Sequence, residues 1–163
     1  MFSRIFPKQF DNNFQGHRLG IWLFVPLVFM KFMMGFNSIF FTRFVATSAD
    51  GLNLSSYGSQ GAQAMLSLYV LLGLSLVVLA LIGATALVRY RSMIPFLYLV
   101  LLVQQIAGKV LGELYPSARS GPPSTHTASA FVVAALIITV VGFILSLWGR
   151  RPAQEQPLMR GSR

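Results

Sequence analysis

The side chains able to do chemistry in this chain are few, and most of them sit inside apolar stretches. Lys31 interrupts an otherwise uncharged run, with Asn37 a little further along it. Tyr98, Gln105, Lys109 and Glu113 recur at i, i+7, i+11 and i+15, one side of a helix, with Gln104 beside them. Lys109 and Glu113, at i and i+4, can neutralise one another near a helix end. That row reads either as an ion pair plus interhelical hydrogen bonds from Gln104 and Gln105, or as a polar pocket for a quinone, a lipid headgroup or a small solute. Ser124 and His126 form the remaining pair, within Gly121-Pro122-Pro123-Ser124-Thr125-His126-Thr127-Ala128. Structurally, Ser124 or Thr125 there would cap the helix that follows. The chain has no cysteine, which excludes thiol catalysis, disulfides and Cys-ligated metal. With two histidines, His17 and His126, and four acidic residues, no complete metal or haem ligand set can be assembled from the sequence.

The elements that must position these groups are membrane spans. Of 163 residues, 55% are hydrophobic and only 10% charged, outside the range of a soluble globular domain. Four apolar runs follow one another: 19–41, 64–88, 93–114 and 125–148. The first, of 23 residues, reaches about 35 Å as a helix, enough to cross a bilayer with some tilt, and Pro26 is tolerated there. Its Met30, Met33 and Met34, among Phe29, Phe32 and Phe36, read as adaptable packing against lipid or a partner helix. A polar loop, 42–62, carries the turn signal Asp50-Gly51 and has room for a short re-entrant or surface helix. The second span places Gly73, Ala80, Gly83 and Ala84 on one face, with Ala86 off that stripe; the fourth does the same with Ala135, Thr139, Gly142 and Ser146. Small residues let helices approach closely, so both stripes predict helix contacts rather than lipid. A proline-rich loop, 115–123, joins the third and fourth spans, and Trp148 ends the last where an interfacial aromatic belongs.

Charge orients the spans. The net charge of +9 would suggest nucleic acid in a soluble protein, but the basic residues cluster beside the apolar runs. Arg4, Lys8, Arg18, Arg89, Arg91, Arg150, Arg151, Arg160 and Arg163 fall in the tails and the tight joint Arg89-Tyr90-Arg91, against Arg43 and Arg119 in the alternate loops. The positive-inside rule then predicts an all-α, integral membrane four-helix bundle, residues 19–149, in a bacterial inner membrane with both termini cytoplasmic. Residues 1–18 form a cytoplasmic tail, read equally as an interfacial amphipathic segment because Phe2, Ile5, Phe6, Phe10 and Phe14 recur around its basic residues. Residues 150–163 form a second, basic tail read as disordered.

Two resemblances bear on function. Pro123-Ser124-Thr125-His126 is similar to the Pro-Ser-Gly-His motif of the membrane-bound phosphatidic acid phosphatase family. The resemblance implies a phosphate-binding Ser124 and an acid role for His126. It covers four residues, and Thr125 stands where the family has Gly. The family's second histidine, its nucleophile, has no counterpart on the same side of the membrane, because His17 precedes the first span; its basic motif is absent too. Without a nucleophile the reaction lacks its first step. The four spans, aromatic amino-terminal tail and basic joint also resemble, loosely, small bacterial inner-membrane proteins of uncharacterised function, which implies no catalytic residue.

The sequence therefore predicts an accessory or assembly subunit without catalysis of its own, packing against a larger inner-membrane complex such as a respiratory or photosynthetic one, or else a homo-oligomer. The alternative is a small quinone-, lipid- or solute-binding or transport protein, in which a bound lipid or quinone would be the ligand. A lipid phosphate phosphatase-like enzyme comes third, and nucleic acid is not an expected partner. Lys31 sharpens the first reading. At 12 residues into its span it lies about 18 Å deep, beyond the reach of snorkelling to the inner interface. Gln104 and Gln105 reach a similar depth from the same side. The first and third helices are therefore expected to be neighbours, with Lys31 reaching a Gln amide oxygen, a freed backbone carbonyl, or an acidic group from another subunit or a ligand.

Overall fold

The computed structural model describes residues 5, 12, 14, 16–114 and 126–148, with side chains described from 132 in the last segment. Its regular structure is helical. The long helices are α1 (Arg18–Phe40), α2 (Gly58–Val88), α3 (Ile94–Leu114) and α4 (His126–Leu147). Three of them, in the segments Arg18–Phe40, Leu54–Val88 and Arg91–Leu114, are long and apolar enough to cross a membrane. In α4 the stretch Val132–Leu147 is apolar as well. The 115–123 loop, the 150–163 tail and two thirds of the 1–18 tail lie outside the described residues.

Each boundary has a local cause. His17 caps α1, its Nδ1 accepting from the Leu19 N–H at 3.2 Å. Pro26 is accommodated inside α1 on an exposed side. Past Phe40 the chain continues as a short α-turn, Thr42–Phe44, a π-helical turn, Val45–Ala49, and a 3-10 turn, Leu54–Tyr57. Gly51, at φ 67°, makes the reversal between the last two, since a positive φ suits glycine. Asp50 is held to α2 by a 2.6 Å hydrogen bond from the Tyr69 hydroxyl. The second helix begins at Gly58 and not at Ala64: polar Ser59, Gln60 and Gln63 continue the helix out of the apolar region. Polarity there marks where hydrocarbon would end, whereas helix propagation needs only the backbone ladder.

α1 is flanked by α2 and α4, and α4 carries α3. The face of α1 that packs is Gly20, Phe24, Leu27, Lys31, Gly35 and Ser38, a repeat of three and four. On α2 the buried positions are Gly73, Leu76, Ala80, Gly83 and Ala86. A β-carbon on Gly83 would come within 2.7 Å of Val28, so this glycine admits α1. Ala86 lies off the small-residue stripe, yet it is buried with Ile94 and Leu97 in the main core. The tight joint explains it: α3 returns beside the end of α2 and covers a second face there.

Ala135, Thr139, Gly142 and Ser146 are all buried, as their common face predicts. Gly142 meets Tyr98 of α3, and Ser146 meets Gly20 of α1. The entry to α1 is held on the same end of α4, where the His17 N–H donates to the Leu145 carbonyl at 3.1 Å and Phe14 packs on the core. The outward faces are apolar: Trp22, Phe29, Leu68, Leu81 and Ile137 are all exposed. Exposed Ser67, Ser75 and Thr85 turn their hydroxyls onto carbonyls four residues back, leaving no free donor on an apolar surface. Large exposed apolar area with internally satisfied hydroxyls is what lipid solvates and water does not. The Met and Phe residues of α1 divide accordingly: Met30 packs on the core, while Met33, Met34, Phe29 and Phe36 face outward.

Candidate functional site

The sequence groups Lys31, Asn37, Tyr98, Gln104, Gln105, Lys109 and Glu113 into one polar cluster, and the structure divides them. The division follows from α3, whose buried residues, Ile94, Pro95, Leu97, Tyr98 and Leu101, all lie in its first part. Beyond Leu101 the helix has few neighbours, and from Ile106 to Leu114 every residue is exposed. A common face brings side chains together only where another helix runs along it.

Tyr98 belongs to the packed part. It is 0% exposed and donates a 2.7 Å hydrogen bond to the Gly20 carbonyl. Its ring meets Phe24 edge-on, with centroids 5.0 Å apart and planes at 62°. Its hydroxyl is thereby occupied, and its role is to join α3 to α1 across the face opened by Gly142. The expected neighbour relation of the first and third helices holds at this point.

Lys31 is the unusual group. It is 7% exposed and shares a pocket of about 10 Å³ with Phe24, Val28, Leu79, Ala80, Gly83, Leu97 and Leu101. The space is about one water-sized sphere. Among the described residues no hydrogen bond, ion pair or ring contact reaches Lys31. The anticipated bond to Gln104 or Gln105 is not made. Leu97 and Leu101 are the α3 residues that reach the pocket, and the two glutamines lie past them. A lysine placed mid-span without a partner costs about 2.5–3.5 kcal/mol on insertion scales.

Gln105 turns the other way. Its Nε2 donates to Thr139 Oγ1 at 2.9 Å, and that hydroxyl donates to the Ala135 carbonyl at 2.6 Å. The amide oxygens of Gln104 and Gln105 are both buried and have no partner among the described residues. Thr139 was visible in the sequence only as a small residue; its polar role needed the knowledge that α4 packs beside α3. Thr139→Val, which keeps the shape and removes the acceptor, is expected to lower stability by only about 0.6 kcal/mol, the mean for hydrogen bonds between membrane helices. Unfolding in mixed micelles measures it, and a loss above about 2 kcal/mol would show that the bond carries more.

Lys109 and Glu113 are exposed, and no ion pair joins them. Asn37 is exposed and lines a groove of about 460 Å³ with Phe41, Phe44, Val45 and Ala49. A neighbouring groove of about 550 Å³ is lined by Phe40, Phe41, Thr42, Arg43, Phe44, Leu66, Ser67 and Val70. His126 is the first described residue of α4, Ser124 lies outside the described residues, and the side-chain relation of the pair is likewise outside them. Among the described residues no three His, Cys, Asp or Glu side chains gather as metal ligands. What the described groups can do is donate and accept hydrogen bonds and present positive charge inside an apolar interior.

No family model matches the chain, and no curated protein or solved structure is similar to it.

Proposed function

We propose that this chain is an accessory or assembly subunit of a larger complex in a bacterial inner membrane, spanning it four times with both termini cytoplasmic and performing no catalysis of its own. The observation that carries this reading is the outer part of α3. From Ile106 to Leu114 it is exposed on every side, with Gly108 and Gly112 four residues apart and open space at each. A helix that presents charged Lys109 and Glu113 and two glycines to its surroundings is suited to another helix more than to lipid chains. Trp22 and Trp148, both highly exposed, stand at the end shared by the start of α1 and the finish of α4 and suit one interfacial belt.

Purification from the native membrane in mild detergent tests it. Larger subunits recovered in fixed ratio with the chain are the expected result. A lone chain or homo-oligomer carrying a small molecule would replace this reading with a quinone-, lipid- or solute-binding protein, which the two phenylalanine-lined grooves favour.

The topology has its own test, made simple because the chain has no cysteine. Single cysteines replacing Asp50 and Arg119 are expected to react with an impermeant thiol reagent added outside, and one replacing Arg91 to be spared. Labelling at 91 with protection at 119 would invert the orientation.

A further inference from the structure

We infer that Lys31 is one half of an intramembrane ion pair whose other half is a carboxylate on a helix of another subunit, packed along the exposed outer part of α3. This rests on the accessory-subunit reading and adds to it the chemistry of the partner.

Lys31 is nine-tenths buried, and the other residues around its pocket are all apolar. Among the described residues no acid serves it. Asp50 lies beyond the end of α1 and accepts from Tyr69, and Glu113 is exposed twelve residues past Leu101, about 18 Å along α3. Asp11 and Glu155 lie outside the described residues, in the tails. Charge complementarity therefore points outside the chain.

Depth selects the kind of anion. Lys31 is in the middle of its span, while lipid phosphates stay at the interface roughly 15 Å away. A carboxylate fixed to a transmembrane helix is delivered at this depth without a free ion crossing hydrocarbon, and pairing is how such groups are carried in membranes. The approach lies on the side where α3 leaves its neighbours. Past Leu101, Val103, Ile106 and Val110 are exposed, and Gly108 and Gly112 permit close approach of a helix.

The test uses the full chain in its native membrane. A photo-crosslinking amino acid at Ile106 is expected to capture a peptide from another protein containing an Asp or Glu within an apolar stretch. Lys31→Leu should lower partner recovery at least tenfold while the isolated chain unfolds no more easily than before. Neutralising the captured acid to Asn or Gln should give the same loss, and combining both changes no further loss. If the wild-type chain brings down no subunit, the accessory reading itself falls. If it brings down subunits and Lys31→Leu leaves recovery unchanged, only the ion pair falls. Capture of this chain's own peptides, of a peptide without an acid, or of lipid alone overturns it as well; should Lys31→Leu not accumulate, Lys31→Met and the crosslinked peptide decide the matter.

Discussion

Replacing Gly142 by leucine is expected to separate α3 from the rest of the protein, and even alanine should be poorly tolerated. Alanine usually favours a helix over glycine by about 1 kcal/mol. Here the sign reverses, because a β-carbon at this position would fall on the Tyr98 hydroxyl and within 2.6 Å of its ring carbon Cε1. Tyr98 cannot easily yield: it is fully buried, packed on Phe24 and bonded to the Gly20 carbonyl. Overfilling a packed interior costs about 1–3 kcal/mol, and leucine should exceed that. Tyr98→Ala alone should cost about 3–5 kcal/mol, the range for a large ring removed from a core, whereas Tyr98→Phe should cost well under 2. The diagnostic is coupling. With Tyr98 cut to alanine, Gly142→Ala should become neutral or stabilising, and unfolding of the four variants in mixed micelles gives the interaction energy. Additive losses would mean that the two side chains do not share the site.

The second large effect is expected where α1 crosses α2. A β-carbon on Gly35 would come within 2.7 Å of the Gly73 carbonyl oxygen, and one on Gly73 within 2.9 Å of the Gly35 carbonyl oxygen. These are backbone atoms, which cannot rotate aside as a side chain can. Gly35→Leu or Gly73→Leu should therefore push the helices apart at a cost at or above the top of the ~1–3 kcal/mol range. Gly108→Leu and Gly112→Leu serve as controls, because nothing stands within 4 Å of either position. They should leave the isolated chain unchanged and act only on association with a partner. Equal loss at all four glycines would show that the variants destabilise helices in general.

These two sites mark how much of the molecule could be read in advance. Hydropathy placed both ends of α1, the end of α2, the start of α3 and the end of α4 within one residue, but not the start of α2, where the apolar run and the helix begin at different points. The small-residue stripe of α4 was legible because one spacing of four residues fixed the face, and all four positions are buried. The matching glycine of α1 was not: Gly35 sits among Met33, Met34 and Phe36, whose bulk dominates the pattern, and its meaning depends on Gly73 across the contact. Burial of Lys31 followed from its depth. Its failure to meet Gln104 or Gln105 did not follow, because depth says nothing of azimuth, and Gln105 turns to Thr139 instead. Lys109 and Glu113 had the right spacing for a pair, but spacing permits a contact without paying for the ordering of two long side chains.

The joint between α2 and α3 ties two properties to one side chain. Arg91 Nε donates to the Leu87 carbonyl at 3.1 Å, satisfying one of the acceptors that every helix leaves exposed in its last turn. In the proposed topology the same guanidinium is one of the charges by which the insertion machinery tells one face of the bilayer from the other. On that topology, helix termination and membrane address are inherited together. A drift from Arg91 to a neutral residue would fray the last turn of α2 and weaken the orientation signal in a single step, whereas Arg89, for which no such carbonyl bond is described, can exchange with lysine and disturb neither. Selection on the joint should accordingly fall unequally on its two arginines.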